Sequence, residues 1–317
     1  VYCNGFAKLP VGKVRYGLML REDGIVMDDG TTARMSENHF IMTTTTVNAE
    51  SVYRHLEFCH QCLWPEMDVH LISTTDAWAQ IAIAGPNSRK IISKIVDKKF
   101  DVSNENFPFM ACKEITICGD VLARLFRISF SGELAYELSV PTQYASSLAS
   151  YLMEIGKEEN IIPYGTEALG VMRIEKGHAA GAELNGTISA LNLNMGKMVS
   201  NKKDSIGMVL SKREGLNTLD GLRLVGLKPL KANNQLISGS HLFALDDKIN
   251  PKNDLGYITS SCYSPTLKSY IALGFLKNGC NRHGDKIKIS NPISGNEAFA
   301  EVCNPIFVDA NGEKLRE

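Results

Sequence analysis

Apolar and polar positions along the chain switch period several times, and those switches predict its elements. Phe40 to Thr46 is short and β-branched and predicts a strand. Asn48 then stands as an N-cap before Val52, Leu56, Cys59 and Leu63, which recur at helical spacing until Pro65 stops the run. Val69 to Thr75 and Trp78 to Ala84 predict two more strands, and Gly85-Pro86-Asn87 turns into a short helix carrying Ile91, Ile92, Ile95 and Val96. Val121 to Ser129 and Ala135 to Val140 predict paired strands around a Ser131-Gly132 turn. Tyr144, Leu148, Leu152 and Ile155 mark one face of a helix closed by Gly156, and Thr166 is expected to cap another that runs to Gly177.

From about Gly221 the pattern changes to short strands separated by turns, among them Leu222 to Leu227, Tyr257 to Ser260, Ile271 to Leu276 and Lys286 to Ile289. A mixed strand-and-helix region followed by strands alone predicts an α+β domain and a small β-barrel or sandwich. The boundary is expected within Arg213 to Asp220, dividing the chain into 1–215 and 216–317. At 317 residues, 44% hydrophobic and 22% charged, the chain can build a sizeable core. A net charge of -1 gives no general attraction to nucleic acid or to an anionic membrane. No apolar run reaches the ~18 residues of a membrane span. Eight scattered cysteines without a preceding signal-peptide pattern read as reduced thiols, which points to the cytoplasm. The opening Val1-Tyr2-Cys3 reads as mid-domain sequence, so a piece of a longer polypeptide is expected.

Three constellations carry candidate chemistry. In Gly24-Ile25-Val26-Met27-Asp28-Asp29-Gly30, apolar residues lead into two acids, with Tyr16 upstream. Asp-Asp-Gly is good turn chemistry, whereas a carboxylate ending a buried strand needs a partner. In Ala135-Tyr136-Glu137-Leu138, alternation turns Glu137 away from a core that holds Tyr136 and Leu138, toward solvent or toward a ligand. In Thr166 to His178, Arg173 sits among Leu169, Met172 and Ile174, where its planar fork suits an anion or a buried carboxylate, or simply snorkels. Cys59-His60-Gln61-Cys62 lacks a second ligand pair at finger spacing, which argues against metal. There is no dinucleotide or Walker-type glycine fingerprint.

These segments occur together and in order. Val11 to Tyr16 precedes the acidic stretch; Ala84-Gly85-Pro86, Ser131-Gly132-Glu133, Gly165-Thr166-Glu167-Ala168-Leu169 and Asn201 to Gly207 follow; Thr259-Ser260, Ser264-Pro265-Thr266-Leu267 and Asn304-Pro305-Ile306-Phe307-Val308 close the series. The order resembles the aminomethyltransferase family of the glycine cleavage T-protein over essentially the whole chain. Arg15 to Gly24, Phe107 to Cys112, Phe126 to Glu137 and Tyr164 to Ala180 further resemble the alpha subunits of heterotetrameric sarcosine oxidases within it.

The resemblance implies a folate-binding aminomethyltransferase fold of mixed and antiparallel sheets with helices, followed by a small C-terminal barrel, and a family N-terminal segment that this chain lacks. It implies Asp29 as the catalytic aspartate, which would remove a proton from, or electrostatically favour, the attacking amine. Tyr16, Phe130 (where T-proteins have a tyrosine), Glu137 and Arg173 are its implied tetrahydrofolate-binding residues. Thr45 stands roughly where T-proteins have an asparagine, and His178 carries no implied role. The implied reaction is capture of the one-carbon unit of sarcosine oxidation by tetrahydrofolate, giving 5,10-methylenetetrahydrofolate and glycine. A flavin (FAD or FMN) and NAD would enter only through a flavin-bearing beta subunit, the small subunits, or a preceding dinucleotide-binding half. A stand-alone aminomethyltransferase and a non-catalytic folate-binding module remain alternatives.

Overall fold

The computed structural model describes residues 1–218 and 220–317. The expected boundary at 213–220 includes residue 219, which lies outside the described residues. Three sheets make the framework. The first is β1 (Lys13–Leu20), β2 (Val26–Arg34) and β3 (Phe40–Met42), joined in that order. α1 (Ala49–Phe58) follows, and a single π-helical turn, Cys59–Leu63, prolongs it. The second sheet contains β4 (Trp78–Ala84), β5 (Cys112–Ile117), β6 (Val121–Phe126) and β7 (Ala135–Pro141) in the order β4-β7-β6-β5, all neighbours antiparallel. α2 (Ser88–Ile95) and α3 (Ala145–Ile155) pack on it, and α4 (Thr166–Glu175) follows.

The third sheet is a closed barrel. Its strands are β8 (Leu222–Pro229), β9 (His241–Ala244), β10 (Gly256–Ser264), β11 (Ser269–Lys277), β12 (Lys286–Ser290) and β13 (Glu297–Cys303), in the order β10-β11-β8-β13-β12-β9. Closure pairs the barrel strands edge to edge around an apolar interior that includes Val225, Leu227, Leu242, Ile287 and Ala300. A different cluster joins the barrel's outer face to the first sheet: Leu224, Ile271, Leu273 and Phe275 pack with Leu18, Leu20, Val26 and Ile174. Among the described residues no helix is long and apolar enough to cross a membrane.

Several predicted elements end differently. Val69 to Thr75 is not a strand; among the described residues no neighbour supplies a backbone ladder, and Ile72 is left 78% exposed. The strand expected over Phe40 to Thr46 stops at Met42, because the Thr31 N–H donates to the Thr43 hydroxyl (3.0 Å) in place of a backbone carbonyl. Asn48 holds the N-cap position of α1, but its side chain is used elsewhere. The N-cap of α4 is Gly165, one residue before Thr166. The turn reading of Asp28-Asp29-Gly30 also fails, since all three lie inside β2, paired with Met19, Leu18 and Gly17.

Candidate functional site

Strand alternation sends Asp28 and Asp29 to opposite faces of the first sheet. Asp29 shares its face with Leu18 and Tyr16, beside the apolar cluster under the barrel. Tyr16 Oη donates to Asp29 Oδ2 at 2.8 Å, and Thr45 Oγ1 donates to Oδ1 at 3.3 Å. Burial pushes the Asp29 carboxyl above the usual range; the Tyr16 and Thr45 hydroxyls oppose this, and the neighbouring Asp28 adds to it. Burial, reinforced by Asp29, raises Tyr16 as well, so its phenol stays a donor.

Asp28, 1% exposed, accepts from the Thr45 backbone N–H at 3.1 Å and from Asn48 Nδ2 at 2.9 Å. Thr45 therefore reaches both acids, one through its backbone and one through its hydroxyl. Gly30 makes this approach feasible: a Cβ there would lie 2.0 Å from the Thr43 carbonyl oxygen. Only a residue without a side chain lets the 43–45 segment lie against β2.

Glu137 lies on β7 between Ala82 and Phe126, on the face opposite the apolar core of Tyr136, Leu138, Ile83 and Leu125. Gln80 Nε2 donates to its Oε2, and Ser139 Oγ donates to Gln80 Oε1 at 2.9 Å, which fixes the direction of the Gln80 amide. The carboxyl is recessed though not sealed from solvent, and desolvation pushes its pKa up to about 7 against the Gln80 bond. Tyr164 lies within the reach of its charge.

Arg173 is committed inside the protein. Nη1 donates to Glu183 Oε2 at 2.8 Å, and Nη2 donates to Ser260 Oγ at 2.8 Å, which in turn donates to Glu183 Oε1 at 2.7 Å. Of the options open to it, Arg173 thus takes the buried carboxylate, for Glu183 is fully buried. The adjoining Phe130 is 40% exposed and stacks on the His178 ring at 5.8 Å between centroids. The Phe130 carbonyl lies 3.0 Å from His178 Nδ1, and burial holds His178 below its ordinary pKa.

The candidates thus form three groups: Tyr16 with Asp29 and Thr45, Glu137 with Gln80, and Phe130 with His178 and Arg173. No direct hydrogen bond joins one group to another among the described residues. Gln80, Glu183, Ser260 and Tyr164 were not singled out from sequence as site residues. Glu183 gave no signal of its own: Arg173 and the Ala180 N–H lie within ten residues of it, but only the fold brings Ser260 of β10 onto its other oxygen. Ser260 had a signal in the Thr259-Ser260 pair, which the resemblance contained without a role.

The Cys59-His60-Gln61-Cys62 segment is the π-helical turn, and its Cys59 and His60 line a separate cavity with Leu56, Trp64 and Asp204 that shares no residue with the three groups. No cluster of three or more metal-ligating side chains occurs among the described residues.

Residues 1–203 match the family model of the GCVT N-terminal domain, and residues 223–309 match that of the glycine cleavage T-protein C-terminal barrel domain. The chain belongs to the glycine cleavage T-protein family. It is 54% identical to a sarcosine oxidase subunit alpha of Rhizobium meliloti (strain 1021), over 99% of this chain and 32% of that protein. It is 37% identical to the corresponding subunit of Corynebacterium sp. (strain U-96), again over 99% of this chain and 32% of the relative. An aminomethyltransferase of Geobacillus sp. (strain WCH70) is 29% identical over 96% of this chain and 79% of its own length. The chain therefore spans about a third of the sarcosine oxidase subunits and most of the aminomethyltransferase. The crystal structure of glycine cleavage system aminomethyltransferase T from Bartonella henselae shares the fold, with a TM-score of 0.81 at 20% identity, covering 98% of this chain and 80% of the other.

Proposed function

We propose that this chain binds tetrahydrofolate and transfers to it the one-carbon unit released by sarcosine oxidation, forming 5,10-methylenetetrahydrofolate and glycine. The single observation that carries the reading is the pair of recessed carboxyls, Asp29 and Glu137, each raised by burial and each oriented by neutral donors rather than neutralised by a cation. Identity of 54% with a sarcosine oxidase alpha subunit, against 29% with an aminomethyltransferase, favours sarcosine as the source over a carrier-bound aminomethyl group. The flavin-bearing beta subunit, the small subunits, flavin and NAD belong to the same proposal.

The residues present fit the pterin. Glu137 Oε2 is taken by Gln80, while Oε1 accepts no protein hydrogen bond among the described residues and is available to a ring N–H or amino donor. Exposed Phe130 and Tyr164 offer apolar ring faces. Folate, when bound, supplies the nucleophilic amines that take up the CH2 unit. Asp29 would accept a proton from the attacking amine at one carboxylate oxygen and return it to the departing glycine nitrogen. Its raised pKa brings it nearer the operating pH for both transfers. Tyr16 and Thr45 hold the carboxylate while it does so. Arg173, already paired with Glu183, would act on the pocket by bracing its wall rather than by meeting a folate carboxylate.

Isothermal calorimetry with tetrahydrofolate tests the reading. The protein should bind, and Glu137→Ala should weaken binding roughly 10- to 100-fold, the effect of ~1.5–3 kcal/mol for a charge-assisted hydrogen bond. Asp29→Ala should retain binding and lose one-carbon transfer. Unchanged affinity in Glu137→Ala would remove that residue from the folate site.

A further inference from the structure

The two adjacent acids of β2 do different jobs, and Thr45 connects them. Asp28 points away from Asp29 into a nearly closed space and has two donors, the Thr45 N–H (3.1 Å) and Asn48 Nδ2 (2.9 Å). Both donors lie where the chain leaves β3 and enters α1, and the Asn48 side chain makes no capping bond to α1 while its Nδ2 donates to Asp28. Thr43 anchors the other end of this segment: its N–H donates to the Thr31 carbonyl at 2.8 Å, and its hydroxyl accepts the Thr31 N–H at 3.0 Å. The Thr45 hydroxyl then meets Asp29 Oδ1 on the far face.

We infer that Asp28 is a positioning residue that latches the 43–48 segment onto β2 and so delivers the Thr45 hydroxyl to Asp29. The inference rests on the reading of Asp29 as the acid-base residue for its functional meaning; the latch itself can be read without catalysis. An acid-base carboxylate needs a fixed orientation, and one short donor such as Tyr16 leaves it free to pivot. The second donor comes from an otherwise irregular segment, whose Thr45 N–H and Asn48 amide bonds to Asp28 hold that end against β2. The titratable groups around Asp29 are Tyr16 of β1 on its own face and Asp28, the preceding residue on the opposite face, and Tyr2, bridged to Met19 of β1, lies within reach of both carboxylate charges.

The test is a titration of Asp29 by carbon-13 NMR of aspartate-labelled protein, with Asp29→Asn used to assign the signal. Wild type, Thr45→Val, Asp28→Asn and the double variant form a cycle. Thr45→Val removes the hydroxyl and keeps the N–H to Asp28, so the Asp29 midpoint should rise by about one pH unit. Asp28→Asn removes a like charge, which lowers the midpoint, and loosens the latch, which raises it. The charge effect is the same in both backgrounds and cancels in the cycle. With a latch, Asp28→Asn lowers the midpoint more when Thr45 is already valine than when it is threonine. Equal shifts in the two backgrounds would overturn the inference. Should Asp28→Asn not fold, Asn48→Ala replaces it: it leaves both charges in place, so a rise in the Asp29 midpoint supports the latch and an unmoved midpoint overturns it. Failure of the catalytic reading would show separately, as undiminished turnover in Asp29→Asn.

Discussion

Glu137 shows how one side chain's surroundings set a measurable sign. Its folded-state pKa is pushed from 4.5 up to about 7, so the folded protein favours the protonated carboxyl. Below pH 4.5 both folded and unfolded states hold the proton and the burial has no cost. Stability is then lost as pH rises between about 4.5 and 7, and the full cost persists above. Glu137→Gln removes the ionisation while keeping an acceptor near Gln80. Its melting temperature, relative to the parent's, is expected to be higher at pH 8, with the gain disappearing near pH 4.5. A gain independent of pH would mean that ionisation of Glu137 is not what burdens the native state. At this scale the sequence was partly legible. Alternation on β7 placed Glu137 opposite Tyr136, but choosing between water and a recess required Phe126 and Gln80, which come from other strands.

Among the elements, α4 joins the parts of the molecule most directly. Arg173 reaches Glu183 and Ser260 of β10; Glu175 accepts from the Ser264 hydroxyl; and Lys176 Nζ donates to Asp309 Oδ2 at 2.8 Å. The Glu175 carbonyl also receives the Phe307 and Val308 N–H groups at 2.9 and 3.0 Å, which gives the Asn304 to Val308 segment its place. Gly177 turns the chain out of the helix at φ 72°, where a Cβ would meet the Pro305 carbonyl oxygen at 2.5 Å. Thr166 and Gly177 marked α4 in the sequence, but an arginine among apolar residues left an anion, a buried carboxylate and a snorkelling side chain all open, and only the fold chose the carboxylate. Arg173→Met strands the fully buried Glu183, and unfolding in urea should show a loss of about 3–5 kcal/mol. Adding Glu183→Leu should recover much of that loss, because an apolar pair of similar volume needs no counter-charge. Failure of the second change to recover stability would mean that Arg173 matters through contacts other than the ion pair.

On the scale of the molecule, the barrel is not an independent appendage. Leu224, Ile271, Leu273 and Phe275 turn outward from it into the cluster containing Leu18, Leu20, Val26 and Ile174. A lesion on that face should be felt across the chain. Leu273→Ala is expected to cost about 2–5 kcal/mol. Both tryptophans, Trp64 and Trp78, precede the barrel, so their fluorescence reports the first region alone. Their unfolding midpoint should fall together with the circular-dichroism midpoint in Leu273→Ala. Tryptophan unfolding that stays at the parent's denaturant concentration would show that the two regions unfold separately.

By itself the sequence determined what depends on neighbours along the chain. Trp78 to Ala84 alternates and becomes β4; Ile91, Ile92 and Ile95 share one face of α2; and strands without intervening helices after Gly221 become a barrel. Period, capping chemistry and turn residues act over a few residues, so they can be read without a fold. Tertiary structure decided where a local preference met a remote competitor. Asp28-Asp29-Gly30 has the makings of a turn, yet β1 and the 43–45 segment hold it extended. Val69 to Thr75 has strand composition but finds no partner strand among the described residues. Asn48 stands at the N-cap of α1, but its side chain makes no capping bond and its Nδ2 donates to Asp28 instead. In each case the deciding hydrogen bond or ladder belongs to a residue elsewhere in the chain, and only folding determines whether that residue arrives.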